Sequence, residues 1–250
     1  MEVSFAAEQI AHIGSFSITN TFLTSIITSV LLITFAFYFR NRIVLVPSRL
    51  QTIVELIIEE FYSFTTQLAG KRAAFIFPWF ATFFFFIIVA NWLGLLPGFG
   101  TVGFFHEEHG EAHLIPLFRG VNSDLNITLA LALISVFVTH FFSIKTLGIA
   151  EYLKRYFSLN PINLFVGLLE LIGEFTKVAS LSFRLFGNVF AGEALLTTVA
   201  SLSKTKLTAF FIPIPFMMLE VVVGLVQALV FSMLTLVFMV ILSTSHSENH

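Results

Sequence analysis

The sequence predicts an all-α membrane protein: five transmembrane helices plus one interfacial amphipathic helix, with the last two helices long and strongly tilted. Three observations carry this reading. Only 11% of the 250 residues are charged, against roughly a quarter in a soluble domain. The 57% that are hydrophobic gather into runs near the ~20 residues that cross a hydrocarbon core. From Pro161 onward, two helical stretches each exceed the length of a perpendicular crossing.

The first span is Thr21–Phe39, ending on Arg40 and Arg42. Residues 47–70 follow, "PSRLQTIVELIIEEFYSFTTQLAG". Leu50, Ile53, Val54, Ile57, Ile58, Phe61 and Phe64 keep helical spacing there, while Glu55, Glu59 and Glu60 interrupt it, the pattern of a helix lying in the interface rather than crossing. Phe75–Leu96 spans, with Pro78 expected in its first turn and Trp79 and Trp92 near its ends as interface anchors. Residues 126–143 span again. The helix of residues 161–200 is opened by Pro161 after a capping Asn160; it must tilt, lie partly in the membrane plane, or break. Residues 207–242 form the last helix. The whole of 1–250 reads as one integral membrane domain without internal repeats.

Basic residues orient the chain. The first twenty residues have none, whereas Arg40, Arg42, Arg49, Lys71 and Arg72 flank the amphipathic helix, and Lys145, Lys154 and Arg155 follow the third span. The loop of residues 97–123 is acidic and His-rich, with Arg119 its one strong base. Lys and Arg mark the cytoplasmic face, so the N-terminus is expected outside and the C-terminus in the cytoplasm; Lys204 and Lys206 are the exceptions. The start "MEVSFAAEQIAH" lacks a basic region and a cleavage site, so no cleaved signal peptide is expected. A net charge of −2 offers nothing to nucleic acid, and the absence of cysteine excludes disulfides and thiolate metal sites.

Three motif matches fail on context. "GFGTVG" (98–103) fits G-x-G-x-x-G but follows a transmembrane helix rather than a strand. "HEEHGEAH" (106–113) puts His109 and His113 four apart, but its glutamates miss the metalloprotease spacing; it reads as a solvated acidic loop. Asn126 in "NIT" fits a glycosylation acceptor but opens a span.

What sets the chain apart is an ionic stripe inside the helix of residues 161–200. At about 100° per residue, Glu170, Glu174, Lys177, Arg184 and Asn188 fall in a sector of about 80°, with Gly187 and Ala191 beside them; Glu193 points about 180° away. A guanidinium at bilayer depth costs about 2.5–3.5 kcal/mol on insertion scales, and intramembrane ionisable groups normally face a bundle interior or a water-filled cavity. No acidic residue sits three or four positions from Arg184, and the small residues leave room for a closely packed helix, so the expected counter-charge is a partner's. Glu220 and Gln227, seven apart with Gly224 between, share a face of the last helix; Glu193 and Glu220 are expected to line a hydrated pocket reached from the outer side. For Glu170, Glu174 and Lys177 two readings stand level: lining a channel, or pairing within the bundle, Glu174 with Lys177.

"SLSFRLFGNVFAGE" (180–193) closely resembles the signature of subunit a of F-type ATP synthases. The resemblance extends to "VPSRLQTIVELIIEEFY" (46–62), "FPWFATFFFFIIVANWLGLLPG" (77–98), "DLNITLALAL" (124–133) and "GLVQALVFSMLTLVFM" around Gln227. It implies a proton-channel stator subunit that is no enzyme on its own, needs no cofactor or metal, and works with a c-subunit ring, a b-subunit stator stalk, other synthase subunits and membrane lipid. Arg184 is then the family's arginine at the ring interface, and Asn188, Glu193, Glu220 and Gln227 match polar positions along the proton path, some members carrying histidine at the position of Glu220. The competing class, a stand-alone secondary transporter or ion channel, usually shows inverted repeats or interrupted helices, and neither is visible. The N-terminal start and the length favour a bacterial plasma membrane over a mitochondrial inner membrane.

Overall fold

The computed structural model describes residues 8–13, 16–96, 99, 102–108, 111–157, 161–201 and 211–244. Asn160, Lys204, Lys206, His109 and residues 207–210 of the expected last helix lie outside these. The chain divides into two compact units, each assembled from three segments: residues 1–42, 84–128 and 183–229 in one, residues 43–83, 129–182 and 230–250 in the other.

In the first unit, strands β1 (Gln9–Ile13) and β2 (Phe16–Thr19) form an antiparallel hairpin leading into α1 (Asn20–Arg40), capped by Thr19, whose side chain accepts from the Phe22 amide. Asn20, Thr21, Thr24 and Thr28 are buried while Val30, Ile33, Phe35 and Phe37 are exposed, the reverse of a soluble helix and the arrangement an apolar solvent favours. The buried hydroxyls are satisfied: Thr24 and Thr28 donate to carbonyls one turn back, and Thr21 donates to Asp124 at 2.7 Å. Asp124 also caps α4 (Leu125–Leu147) by accepting from the Asn126 amide. The segment read as a loop carries a second hairpin, β3 (Gly103–Glu108) with β4 (Glu111–Pro116), in register Gly103↔Pro116 to Glu108↔Glu111. The all-α reading therefore needs these two hairpins added. The side chains of residues 105–115, including the histidines considered for metal binding, lie outside the described residues.

The second unit holds α2 (Arg49–Ala69), capped by Ser48, and α5 (Ile149–Tyr156). Gly70 (φ 54°) and Gly148 (φ 84°) take left-handed turns at the ends of α2 and α4, where a side chain would be strained. Its apolar core joins α3 (Ala73–Gly94), α4 and α7 (Pro213–Leu242) through Ile76, Phe80, Val138, Phe142, Leu236 and Met239. Phe75 stacks on Phe142, and Ser135 and Thr235 share a hydrogen bond at 2.7 Å across α4 and α7, a polar tie that lipid cannot replace.

Several boundaries differ from expectation. Because α3 starts at Ala73, Pro78 sits in its second turn rather than its first. α4 runs on to Leu147, stopped by Gly148, and α5 follows where no element was expected. Pro213 opens α7 at its first helical position. The helix expected to tilt, lie flat or break does not break: α6 runs from Pro161 to Ser201 in 41 residues, about 61 Å at the usual rise and about twice a hydrocarbon core. Among the described residues four stretches are long and apolar enough to cross a membrane, Asn20–Arg40, Arg49–Gly94, Leu125–Leu147 and Pro213–Leu242.

Candidate functional site

The first unit gathers most of the polar residues singled out in the sequence. α6 turns Leu185 and Gly192 inward and leaves Arg184, Asn188 and Ala191 exposed. The Arg184 guanidinium stands next to Phe183, itself 60% exposed. A methyl group added at Gly187 would meet nothing among the described residues within 4 Å, so their packing does not require the small residue.

Around the same helix, Asn188 donates from Nδ2 to Gln227 Oε1 at 2.7 Å, and Gln227 is 4% exposed; two residues 39 apart in sequence become one contact between α6 and α7. Glu193, half a turn round from Arg184, faces Arg119, with Nε 3.4 Å from its Oε1. Glu220 reaches α6 one residue earlier: its carboxylate occupies the space where a side chain on residue 192 would begin, and only glycine permits the approach. Glu193, on α6, is thus paired with Arg119, while Glu220 of α7 comes up against the neighbouring Gly192.

Sequence reasoning missed the groups that support these carboxylates. Arg119 is 6% exposed and belongs to the segment before α4, where being the only strong base of an acidic loop was its one signal. Glu8, also near Arg119, has its pKa raised by burial, against the lowering effect of that guanidinium. Asn122 donates to Asn91 Oδ1 at 2.7 Å, and Asn91 donates to the Gly224 carbonyl at 3.2 Å, a buried amide chain fixing α7 beside α3. Trp92, read as an interface anchor, donates its indole N–H to the Val221 carbonyl.

Glu170, Glu174 and Lys177 belong to the second unit and are paired there. Glu170 holds Arg155 through Nε and Nη2; Glu174 holds Lys177 at 2.6 Å and faces His140 Nε2 at 3.4 Å. The pairing of Glu174 with Lys177 is the one the within-bundle reading specifies. Burial lowers the pKa of Arg155, but its hydrogen bond and charge attraction to Glu170 outweigh that and leave it raised; burial raises the pKa of Tyr152 and Tyr156. Among the described residues no cluster of three metal-binding side chains exists.

Comparison with known proteins gives this arrangement its family. The profile described as ATP synthase A chain matches residues 22–240. The chain is 31% identical over 227 residues to an ATP synthase subunit a 1 of Hahella chejuensis, covering 91% of this chain and 85% of the relative. It is 30% identical to an ATP synthase subunit a of Moorella thermoacetica, covering 92% and 93%, and 32% identical to that of Desulforamulus reducens, covering 96% and 85%. A match spanning α1 to α7, and including the exposed arginine, the Asn188–Gln227 contact and the Glu220–Gly192 approach, leaves one assignment: this integral membrane chain belongs to the ATP synthase A chain family.

Proposed function

We propose that the chain is the proton-channel stator subunit of an F-type ATP synthase, supplying two offset aqueous half-channels to a rotating ring of c subunits and anchored by the b-subunit stalk. In this reading a proton from the outer side passes Glu220 and Glu193 and neutralises a ring carboxylate. The neutral form can turn through lipid, whereas burying the ionised form would cost many kcal/mol. After nearly a full turn the carboxyl meets the inner half-channel and releases its proton. Each proton falling through 100 mV yields about 2.3 kcal/mol, which an unguarded leak would dissipate without rotation.

Arg184 is the guard. It attracts the arriving carboxylate, favours its ionised form and separates the two channels. Arginine suits this place because it stays protonated when desolvated, whereas lysine is readily neutralised. Asn188 and Gln227 tie α6 to α7 beside it; Glu170, Glu174 and Lys177 fall to the inner side. The chain itself makes and breaks no covalent substrate bond and needs no cofactor. The observation that carries the reading is the exposure of Arg184 on the same helix face as Gly187, where an added methyl group would meet nothing among the described residues within 4 Å.

The test is Arg184→Ala in the assembled complex. Proton-driven ATP synthesis should vanish while subunit content is unchanged, and Arg184→Lys should be severely impaired. Synthesis that survives in the alanine variant refutes the assignment.

A further inference from the structure

His140 joins three helices that the sequence gives no reason to connect. It lies on α4; its Nδ1 is 3.0 Å from the hydroxyl of Tyr152 on α5, and its Nε2 is 3.4 Å from Glu174 Oε2 on α6. The other oxygen of Glu174 holds Lys177 at 2.6 Å, and that ammonium lies 4.6 Å above the Phe238 ring of α7. The Glu174 side chain is 9% exposed and that of His140 is 22% exposed, so the carboxylate is enclosed while the ring edge reaches the surface. α7 contributes no ionisable side chain between residues 230 and 242.

The charge count around the ring is simple. Glu170 is matched by Arg155, and Glu174 by Lys177. Burial raises the pKa of the neighbouring phenols Tyr152 and Tyr156, so they stay neutral at physiological pH. What the cluster holds between a phenol and a carboxylate is an imidazole, a ring with two nitrogens that can each donate or accept. Its two nitrogens are equipped for both states. The neutral ring donates Nε2–H to Glu174 and accepts the Tyr152 hydroxyl at Nδ1; the imidazolium donates from both nitrogens, with the hydroxyl turned to accept. A purely structural tie between α4 and α6 would need no such adaptable partner, because Lys177 already neutralises Glu174.

We propose that His140 is a proton-exchange residue on the basic-loop side of the channel, held beside Glu174 and opened to water by Tyr152. A hydronium O–H bond breaks as the Nδ1–H bond forms, leaving water and imidazolium; release reverses the step, so one proton is taken up and one returned. Glu174 supplies the fixed counter-ion, and Tyr152 is a positioning residue. The inference rests on the channel reading above, and the Arg184 variants test that reading separately: should they behave as described while the His140 variants do not, only the present inference fails.

The experiment uses the complete synthase in vesicles, with ATP-driven proton pumping and ATP synthesis recorded against the pH of the basic-loop side. His140→Gln keeps hydrogen-bonding groups and bulk but carries no exchangeable ring proton; it should lose the pH dependence the ring gives the rate while subunit content is unchanged. His140→Ala should slow flux on the order of 100-fold, and added imidazole should restore a pH-dependent part of it. Tyr152→Phe should weaken the same pH dependence without abolishing it. A His140→Gln complex with the original rate and pH profile overturns the proposal, as does an alanine defect that imidazole leaves untouched.

Discussion

Gly187→Leu separates packing inside the chain from packing against a neighbour. Among the described residues nothing lies within 4 Å of a methyl group placed at residue 187, so the first carbon of the new side chain meets no internal contact. Replacing a helical glycine by a better helix former should stabilise α6 by about 0.5–1 kcal/mol. If a ring helix seats against this face beside Arg184, a leucine intrudes into a contact built for a small residue, and overpacking typically costs about 1–3 kcal/mol. At tenfold per about 1.36 kcal/mol, this is on the order of 5- to 150-fold in the equilibrium that docks the ring. The assay is proton uptake per ATP hydrolysed in vesicles, read beside the subunit content of the purified complex, with Gly187→Ala as the graded intermediate. Coupling should fall from glycine to alanine to leucine while the chain itself remains folded. A leucine variant with full subunit content and undiminished proton uptake would mean that no helix packs there, and the rotary reading of Arg184 would lose its structural basis.

Gly192→Ala makes the opposite case, because the added methyl falls on the Glu220 carboxylate. Glu220 can swing aside at an off-rotamer cost of about 0.5–1.5 kcal/mol, so the complex should assemble and conduct more slowly, by about 2- to 12-fold; unchanged conduction would take Glu220 out of the path. Glu193→Ala combined with Glu220→Ala should slow proton flux without uncoupling it, and near-normal flux in the double variant removes both residues from the route. Asn91→Leu strands the buried Asn122 amide and removes the bond to the Gly224 carbonyl, which should destabilise by about 1–3 kcal/mol. The midpoint of thermal inactivation of the complex should drop accordingly, and an unaltered midpoint would show the amide chain to be dispensable.

Sequence alone determined the membrane class, the run of long apolar helices, the start of α6 at Pro161 and which residues share a helix face with Arg184. Each follows from local chemistry: scarce charge, Pro at a first helical position, and a rotation of about 100° per residue that assigns side chains to faces. Even the failures of local reading are local in cause. Apolar residues run nearly all round α1, so periodicity could not reveal that its Asn and Thr face is the buried one. Only the tertiary structure decided who meets whom. Arg119 reaches Glu193, Asn122 reaches Asn91, and His140 reaches Glu174 across 74, 31 and 34 positions. The physical reason is that a helix period fixes the direction of a polar group and says nothing of the neighbour it faces. Away from water, that neighbour determines whether a charge is tied down or left free to do work.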